Sequence, residues 1–120
     1  MRKLFAILLV SLSWSGQSYA GRCDDAYSAG DDAYTYARRG YRADSLDDLQ
    51  FYARRAMNSA NEAMSYSDDC RCDDAYSAAD EAYSYARRAY REDDFDYAQS
   101  RIKRAMWAAE SIMSAAEDCN

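Results

Sequence analysis

From Asp24 onward, small apolar residues return at alternating steps of four and three. They are Ala26, Gly30, Ala33, Ala37 and Gly40, then, after a polar break, Leu49, Ala53, Ala56, Ala60, Ala63 and Ser67. This is the a/d spacing of a helix with one buried seam. The rhythm resumes at Ala75, Ala79, Ala82, Ala86 and Ala89, and again at Ala98, Ile102, Ala105, Ala109, Ile112 and Ala116. The pattern predicts four helices. In the first half they cover residues 24–42 and 46–68; in the second half the last one covers 95–117. Ala43-Asp44-Ser45 and Glu92-Asp93-Asp94 form the breaks within each pair.

A second stripe runs beside the seam. Tyr27, Tyr34 and Tyr41 recur every seventh residue, as do Tyr76, Tyr83 and Tyr90, and the second helix of each pair carries Met57 and Met64 or Met106 and Met113. An apolar face wider than a/d can contact two neighbours. The fold class is therefore read as all-α: two αα-hairpins, each with an alanine-rich seam, packed together through tyrosine and methionine into an up-down four-helix bundle. The same elements could instead lie side by side and offer the Tyr/Met face to a partner. End residues support the helices. Asp24, Asp25, Asp73 and Asp74 stand in first turns, where the helix dipole favours negative charge, and Arg38, Arg39, Arg42, Arg87, Arg88 and Arg91 crowd last turns, where it favours positive charge. Asp44 or Ser45, and Asp93 or Asp94, are suited to cap the second helix of each pair.

The two halves are one sentence written twice. RCDDAYSA begins at Arg22 and again at Arg71, and residues 22–70 align without a gap on 71–119 with 28 identities in 49 positions. An internal duplication accounts for this. Ahead of it, Arg2 and Lys3, an apolar run from Leu4 to Trp14 and the small residues of Ser18-Tyr19-Ala20 read as a signal peptide at 1–20, cut before Gly21. The remainder, 21–120, is read as a single helical domain. Its expected location is periplasmic or secreted, with no stable membrane anchor after cleavage.

Composition changes this picture little. Proline is absent, and after the leader the only leucines and isoleucines are Leu46, Leu49, Ile102 and Ile112. A large oily core cannot be built from these. Losing Arg2 and Lys3 takes the net charge from −6 to −8. So acidic a chain is expected to avoid nucleic acid and anionic lipid.

Cysteine supplies what the thin core lacks. Each copy has one cysteine before its first helix and one after its second: Cys23 and Cys70, then Cys72 and Cys119. The two ends of an antiparallel hairpin meet, so the expected bridges are Cys23–Cys70 and Cys72–Cys119. The cross pairing, Cys23–Cys72 with Cys70–Cys119, stays geometrically open because all four gather at one end of a bundle. A bridge across so long a loop contributes about 2–4 kcal/mol, chiefly by restricting the unfolded chain. A thiolate metal site at Cys70-Arg71-Cys72 is the weaker reading, because the duplication itself creates that juxtaposition.

Candidate chemistry follows from what remains. Histidine is absent, and no Gly-rich phosphate loop is visible. This removes histidine bases and triads, and the chain is read as non-enzymatic, with no cofactor. Asp24, Asp25, Asp68, Asp69, Asp73, Asp74, Glu117 and Asp118 would collect at the cysteine end and form weak candidates for a hard divalent cation. Tyr36, Tyr85, Tyr52, Tyr66, Tyr97 and Trp107 fall outside the main tyrosine stripe and are the candidates for contact with a partner. The pairs Arg38-Arg39, Arg54-Arg55 and Arg87-Arg88 alternate with acids and read as solvated faces, with Tyr34–Arg38 and Tyr83–Arg87 as stacked neighbours. The expected function is an exported helical module that binds another protein, of inhibitor, immunity or envelope-scaffold type. The alternative is an acidic cation-binding or envelope-stress protein acting through the carboxylate end.

Overall fold

The computed structural model describes residues 23–119; the leader, its cleavage site, Gly21, Arg22 and Asn120 lie outside the described residues. Four helices follow one another: α1 Asp24–Tyr41, α2 Leu46–Asp69, α3 Asp73–Arg91 and α4 Phe95–Asp118. α1, α2 and α4 each start and stop within a residue of the bounds that the apolar rhythm predicts. Ser45 caps α2 by accepting the Asp48 N–H at 3.2 Å, and Asp94 caps α4 by accepting the Tyr97 N–H at 3.1 Å. These side-chain oxygens satisfy donors that have no partner inside the helix. Cys23 and Cys72 hold the N-cap positions of α1 and α3 without a capping hydrogen bond from their side chains.

The helices form a square in chain order. α1 packs on α2 and α4, α3 packs on α2 and α4, and the diagonal pairs barely touch. The turns at 42–45 and 92–94 share one end, and the cysteines share the other. The link between α2 and α3 is very short. Arg71 takes a left-handed conformation (φ 58°) after the α2 C-cap, its N–H bonds the Asp68 carbonyl at 3.1 Å, and the Cys72 N–H bonds the Ser67 carbonyl at 2.9 Å. That is the Schellman closure, here with arginine where glycine usually stands.

The core is one alanine column in three layers. Cys23, Ala26, Cys72, Ala75 and Ala116 fill the cysteine end. Ala29, Ala33, Ala60, Ala63, Ala79, Ala82, Ala108, Ala109 and Ile112 fill the middle, and Leu49, Ile102 and seven alanines fill the turn end. Every residue of the predicted seams is buried. Both hairpin bridges are present, Cys23–Cys70 and Cys72–Cys119, each spanning 47 residues.

The hairpins meet mainly through the alanine seams, and tyrosine and methionine edge that contact rather than fill it: Met64 and Tyr76 border a groove between α2 and α3, and Met113 lies against Gly30 between α4 and α1. Met57, Met64, Met106 and Met113 are only half-buried, as are Tyr34, Tyr41 and Tyr83, while Tyr27, Tyr76 and Tyr90 are exposed. The physical reason is spacing. Alanine seams draw the helix backbones too close for a ring to enter between them, so one narrow seam per helix serves both neighbours and the rings lie along the outer grooves. At the turn end the hairpins are also tied through polar groups. Gln50 Nε2 donates to the Glu92 carbonyl at 2.7 Å, and Gln99 Nε2 donates to the Tyr41 carbonyl at 3.0 Å. Gln50 and Gln99 are the same position of the two copies, so each hairpin latches the other's turn.

Candidate functional site

The square arrangement turns an evenly mixed sequence into two electrically different halves. Residues 38–55 and 87–104 occupy the turn half and hold eleven cations against seven acids. The rest of the described chain holds fourteen acids and a single cation, Arg71. The carboxylates of the cysteine end are far from the groove, Asp73 being twelve residues from Tyr85 on α3, about 18 Å at 1.5 Å rise per residue, whereas Glu81 is only four residues from Tyr85, about 6 Å. Ionic screening at physiological salt acts over about 8 Å. The cysteine-end carboxylates are therefore largely screened at the turn half, where cations outnumber acids.

Those arginines are organised by aromatic rings. Arg38 lies over Tyr34 (5.7 Å to the ring centre), Arg55 over Tyr36 (5.9 Å) and Phe51 (4.9 Å), and Arg88 and Arg104 over Tyr85 (5.4 and 5.7 Å). Lys103 lies over Tyr41 and Trp107, at 5.8 and 5.1 Å. A cation beside a ring face is attracted by the ring quadrupole, by about 0.5–1 kcal/mol at exposed sites. The pairing also limits the rotamers of a long side chain. The arginine pairs are thus more than solvated faces. Tyr34–Arg38 occurs as the spacing predicts, whereas in the second copy the arginines over a ring are Arg88 and Arg104, both on Tyr85.

The six aromatic candidates fall in different places. Tyr85 and Tyr97 share an open depression of about 290 Å³ between α3 and α4 with Arg88, Ser100, Arg101 and Arg104. Tyr97 is 63% exposed. Arg101 is held at the rim by Glu92, Nε to Oε2 3.5 Å. A second depression, lined by Ser84, Arg87, Arg88 and Arg91, shares Arg88 with the first, so the arginine surface continues along α3. On the opposite side of the square, Tyr36 and Tyr52 line the groove between α1 and α2, where Phe51 meets Tyr52 edge-on at 5.2 Å. Trp107, 52% exposed, belongs to the α1–α4 side through Lys103. Tyr66 is exposed near the cysteine end, away from the others.

Phe51 is the residue that sequence reasoning missed. It is 53% exposed and stands where the second copy has Ser100. The available signal was the difference between copies. Position by position, Asp48, Phe51 and Tyr52 of the first groove become Tyr97, Ser100 and Arg101 in the second, while Tyr36/Tyr85 and Arg55/Arg104 are kept. One scaffold therefore carries an aromatic groove on one side and an arginine groove on the other.

The carboxylate candidates are arranged differently. Asp24, Asp25, Asp68, Asp69, Asp73, Asp74, Glu117 and Asp118 are all exposed. Among the described residues, the group close enough to share an ion is Cys23, Cys72 and Cys119, and their sulfurs are taken up in the two bridges. No described helix is long and apolar enough to cross a membrane. Comparison with protein-family models, curated proteins and solved structures finds no match.

Proposed function

We propose that this chain is an exported, non-enzymatic binding module whose turn half takes an acidic segment of another protein. The observation that carries the reading is the α3–α4 groove, where three guanidinium groups and two tyrosines converge on one open depression. Guanidinium forks match carboxylates bidentately, and tyrosine adds rigid contact area with a polar tip. Arginine and tyrosine are also the residue types that dominate binding energy in protein interfaces. The acids that frame the turn, Glu92, Asp93, Asp94 and Asp96, confine the positive surface to a small area. This suits a few carboxylate side chains better than a long phosphate backbone. The two bridges fit an oxidising compartment, which supports export.

The test is titration of the oxidised protein with a short labelled polyglutamate peptide, read by fluorescence anisotropy. Arg101→Ala and Arg104→Ala are each expected to weaken binding about tenfold, the size of a lost charge-assisted contact, while Arg39→Ala and Arg54→Ala leave it unchanged. Equal losses from both sets, or tighter retention by RNA or anionic vesicles than by the peptide, would sink the proposal.

A further inference from the structure

The four cysteines differ in depth. Cys23 and Cys72 are 1% exposed at the centre of the end layer, whereas Cys70 and Cys119 are half-buried at its edge. The bridges also lie side by side: the sulfurs of Cys23, Cys72 and Cys119 are all within 4.8 Å of one another. Each bridge therefore joins a buried cysteine beside the neighbouring bridge to a half-buried one at the rim, the side from which a small thiol would approach.

We propose that this cluster is a thiol-triggered isomerisation device that exchanges the two hairpin bridges for two bridges between hairpins. A small external thiolate attacks Cys70 Sγ. The Cys23–Cys70 bond breaks, and the electron pair leaves on Cys23 Sγ. That thiolate is already in the layer beside the second bridge. It attacks Cys72 Sγ, forming Cys23–Cys72 and releasing Cys119 as thiolate. Cys119 then attacks Cys70 Sγ in its mixed disulfide, forming Cys70–Cys119 and expelling the external thiol. Two disulfides are present before and after, the thiol is regenerated, and nothing is oxidised or reduced overall. Exchange through mixed disulfides requires only a thiolate and access to a sulfur.

The chain offers little entropic resistance. Each native bridge spans 47 residues, and each exchanged one joins equivalent positions of the two copies, 49 apart. Closure entropy grows only with the logarithm of loop length, so the individual loops are nearly equal in cost. The exchanged form ties α1 to α3 and α2 to α4, across both diagonals of the square. The hairpins are then covalently joined to each other at the cysteine end, by bridges rather than by the 70–72 link alone. The acidic collar selects the trigger. Exposed carboxylates on all four helix ends repel an anionic thiol such as glutathione and admit a cationic one such as cysteamine.

The experiment incubates the folded, oxidised protein with substoichiometric cysteamine, quenches with acid and N-ethylmaleimide, and maps tryptic peptides without reduction. Trypsin cleaves after Arg22, Arg38, Arg55, Arg71, Arg87 and Arg104, which places the four cysteines on four different peptides. A linked peptide pair carrying Cys23 and Cys72 is expected to appear, faster with cysteamine than with glutathione, and the difference should shrink as salt is added. In concentrated guanidinium all three pairings should form, whereas in the folded protein the cross pairing should be the one new product beside the starting bridges. As a second arm, Cys70→Ser frees Cys23, and Cys119→Ser frees Cys72 if the first variant does not fold. The freed cysteine should be recovered in a disulfide with a member of the remaining bridge. Persistence of Cys72–Cys119 with Cys23 fully alkylated, together with an unchanged wild-type map, would overturn the proposal.

Discussion

Gly30 of α1 lies directly against Ile112 of α4: a Cβ built on the glycine would stand 2.7 Å from Ile112 Cγ2 and 3.0 Å from its Cβ. The corresponding pair in the other copy is Ala79 with Ala63, both in the middle core layer. The exchange recurs one layer away. Gly40 faces Ile102, with the added Cβ 3.2 Å from Cγ1, and the corresponding pair is Ala89 with Ala53. Volume removed from the first hairpin is thus returned by the second. Two copies of the first hairpin would leave a void opposite glycine, and two copies of the second would drive alanine into isoleucine. The hairpins are matched to each other and not to themselves.

Gly30→Ala should therefore destabilise the protein even though alanine is the better helix former. The helical gain is about 0.5–1 kcal/mol, while overpacking a tight core costs about 1–3 kcal/mol. At 2.7 Å the second effect is the larger. At Gly40 the added Cβ would stand 3.2 Å from Ile102 Cγ1 and 3.3 Å from Tyr52 Cβ, which need give by only a few tenths of an ångström, so Gly40→Ala should stay within about 1 kcal/mol of wild type. Adding Ile112→Ala to Gly30→Ala recreates the pairing of the other copy, and the two changes should couple favourably in a double-mutant cycle by about 1–2 kcal/mol. Urea unfolding with the bridges intact measures all three. A Gly30→Ala protein as stable as wild type would refute this packing.

The same pairs show how far a sequence can be read. Helix positions, the seams and the bridges were legible because a 4-3 rhythm and a gapless duplication constrain them from within one chain. The place of the tyrosines was not. Tyr34 and Tyr83 have the spacing of a core stripe, and only the close approach of four alanine seams excludes their rings from the axis. The Gly/Ile exchange was visible as four differences between copies, but its meaning depends on α1 packing against α4, which periodicity does not specify. The arginine groove was hidden for a similar reason: Arg88, Arg101 and Arg104 alternate with acids along the chain and converge only when α3 and α4 pair.

Ser67 is fully buried, and its hydroxyl has no hydrogen-bond partner among the described residues. The other copy has Ala116 at this position, also fully buried. A buried polar group left unpaired costs about 1–3 kcal/mol. Ser67→Ala should accordingly raise stability by about 1 kcal/mol, seen as a higher urea midpoint with an unchanged slope. A fall in the midpoint would show that the hydroxyl finds a partner or a water in solution.

Arg71 holds a left-handed backbone (φ 58°) that a side chain disfavours by about 1–2 kcal/mol, and glycine adopts it freely. The flanking Cys70 and Cys72 are bridged, so the unfolded chain is already restricted and glycine adds less disorder there than it would in an open loop. Arg71→Gly should stabilise the oxidised protein by about 1 kcal/mol. It also removes the one cation described in the acidic half. The gain should therefore be larger at high salt, where repulsion among Asp68, Asp69, Asp73 and Asp74 is screened. Thermal unfolding at two salt concentrations separates the two contributions.

If the arginine groove is the binding site, the first copy can be given one. Asp48→Tyr, Phe51→Ser and Tyr52→Arg write the residues of Tyr97, Ser100 and Arg101 onto a groove that already has Tyr36, Arg39 and Arg55 at the equivalent places. The backbone is the same hairpin, and none of the three replaced side chains is buried. Losing Asp48 from the first turn of α2 costs only about 0.3–1 kcal/mol of dipole stabilisation. Polyglutamate should then bind with a stoichiometry of two in place of one, and Arg101→Ala in this background should weaken only half of the sites. An unchanged stoichiometry in a folded triple variant would mean that the α3–α4 groove owes its binding to something besides these residues, and the recognition surface would have to be sought along Arg87 and Arg91 instead.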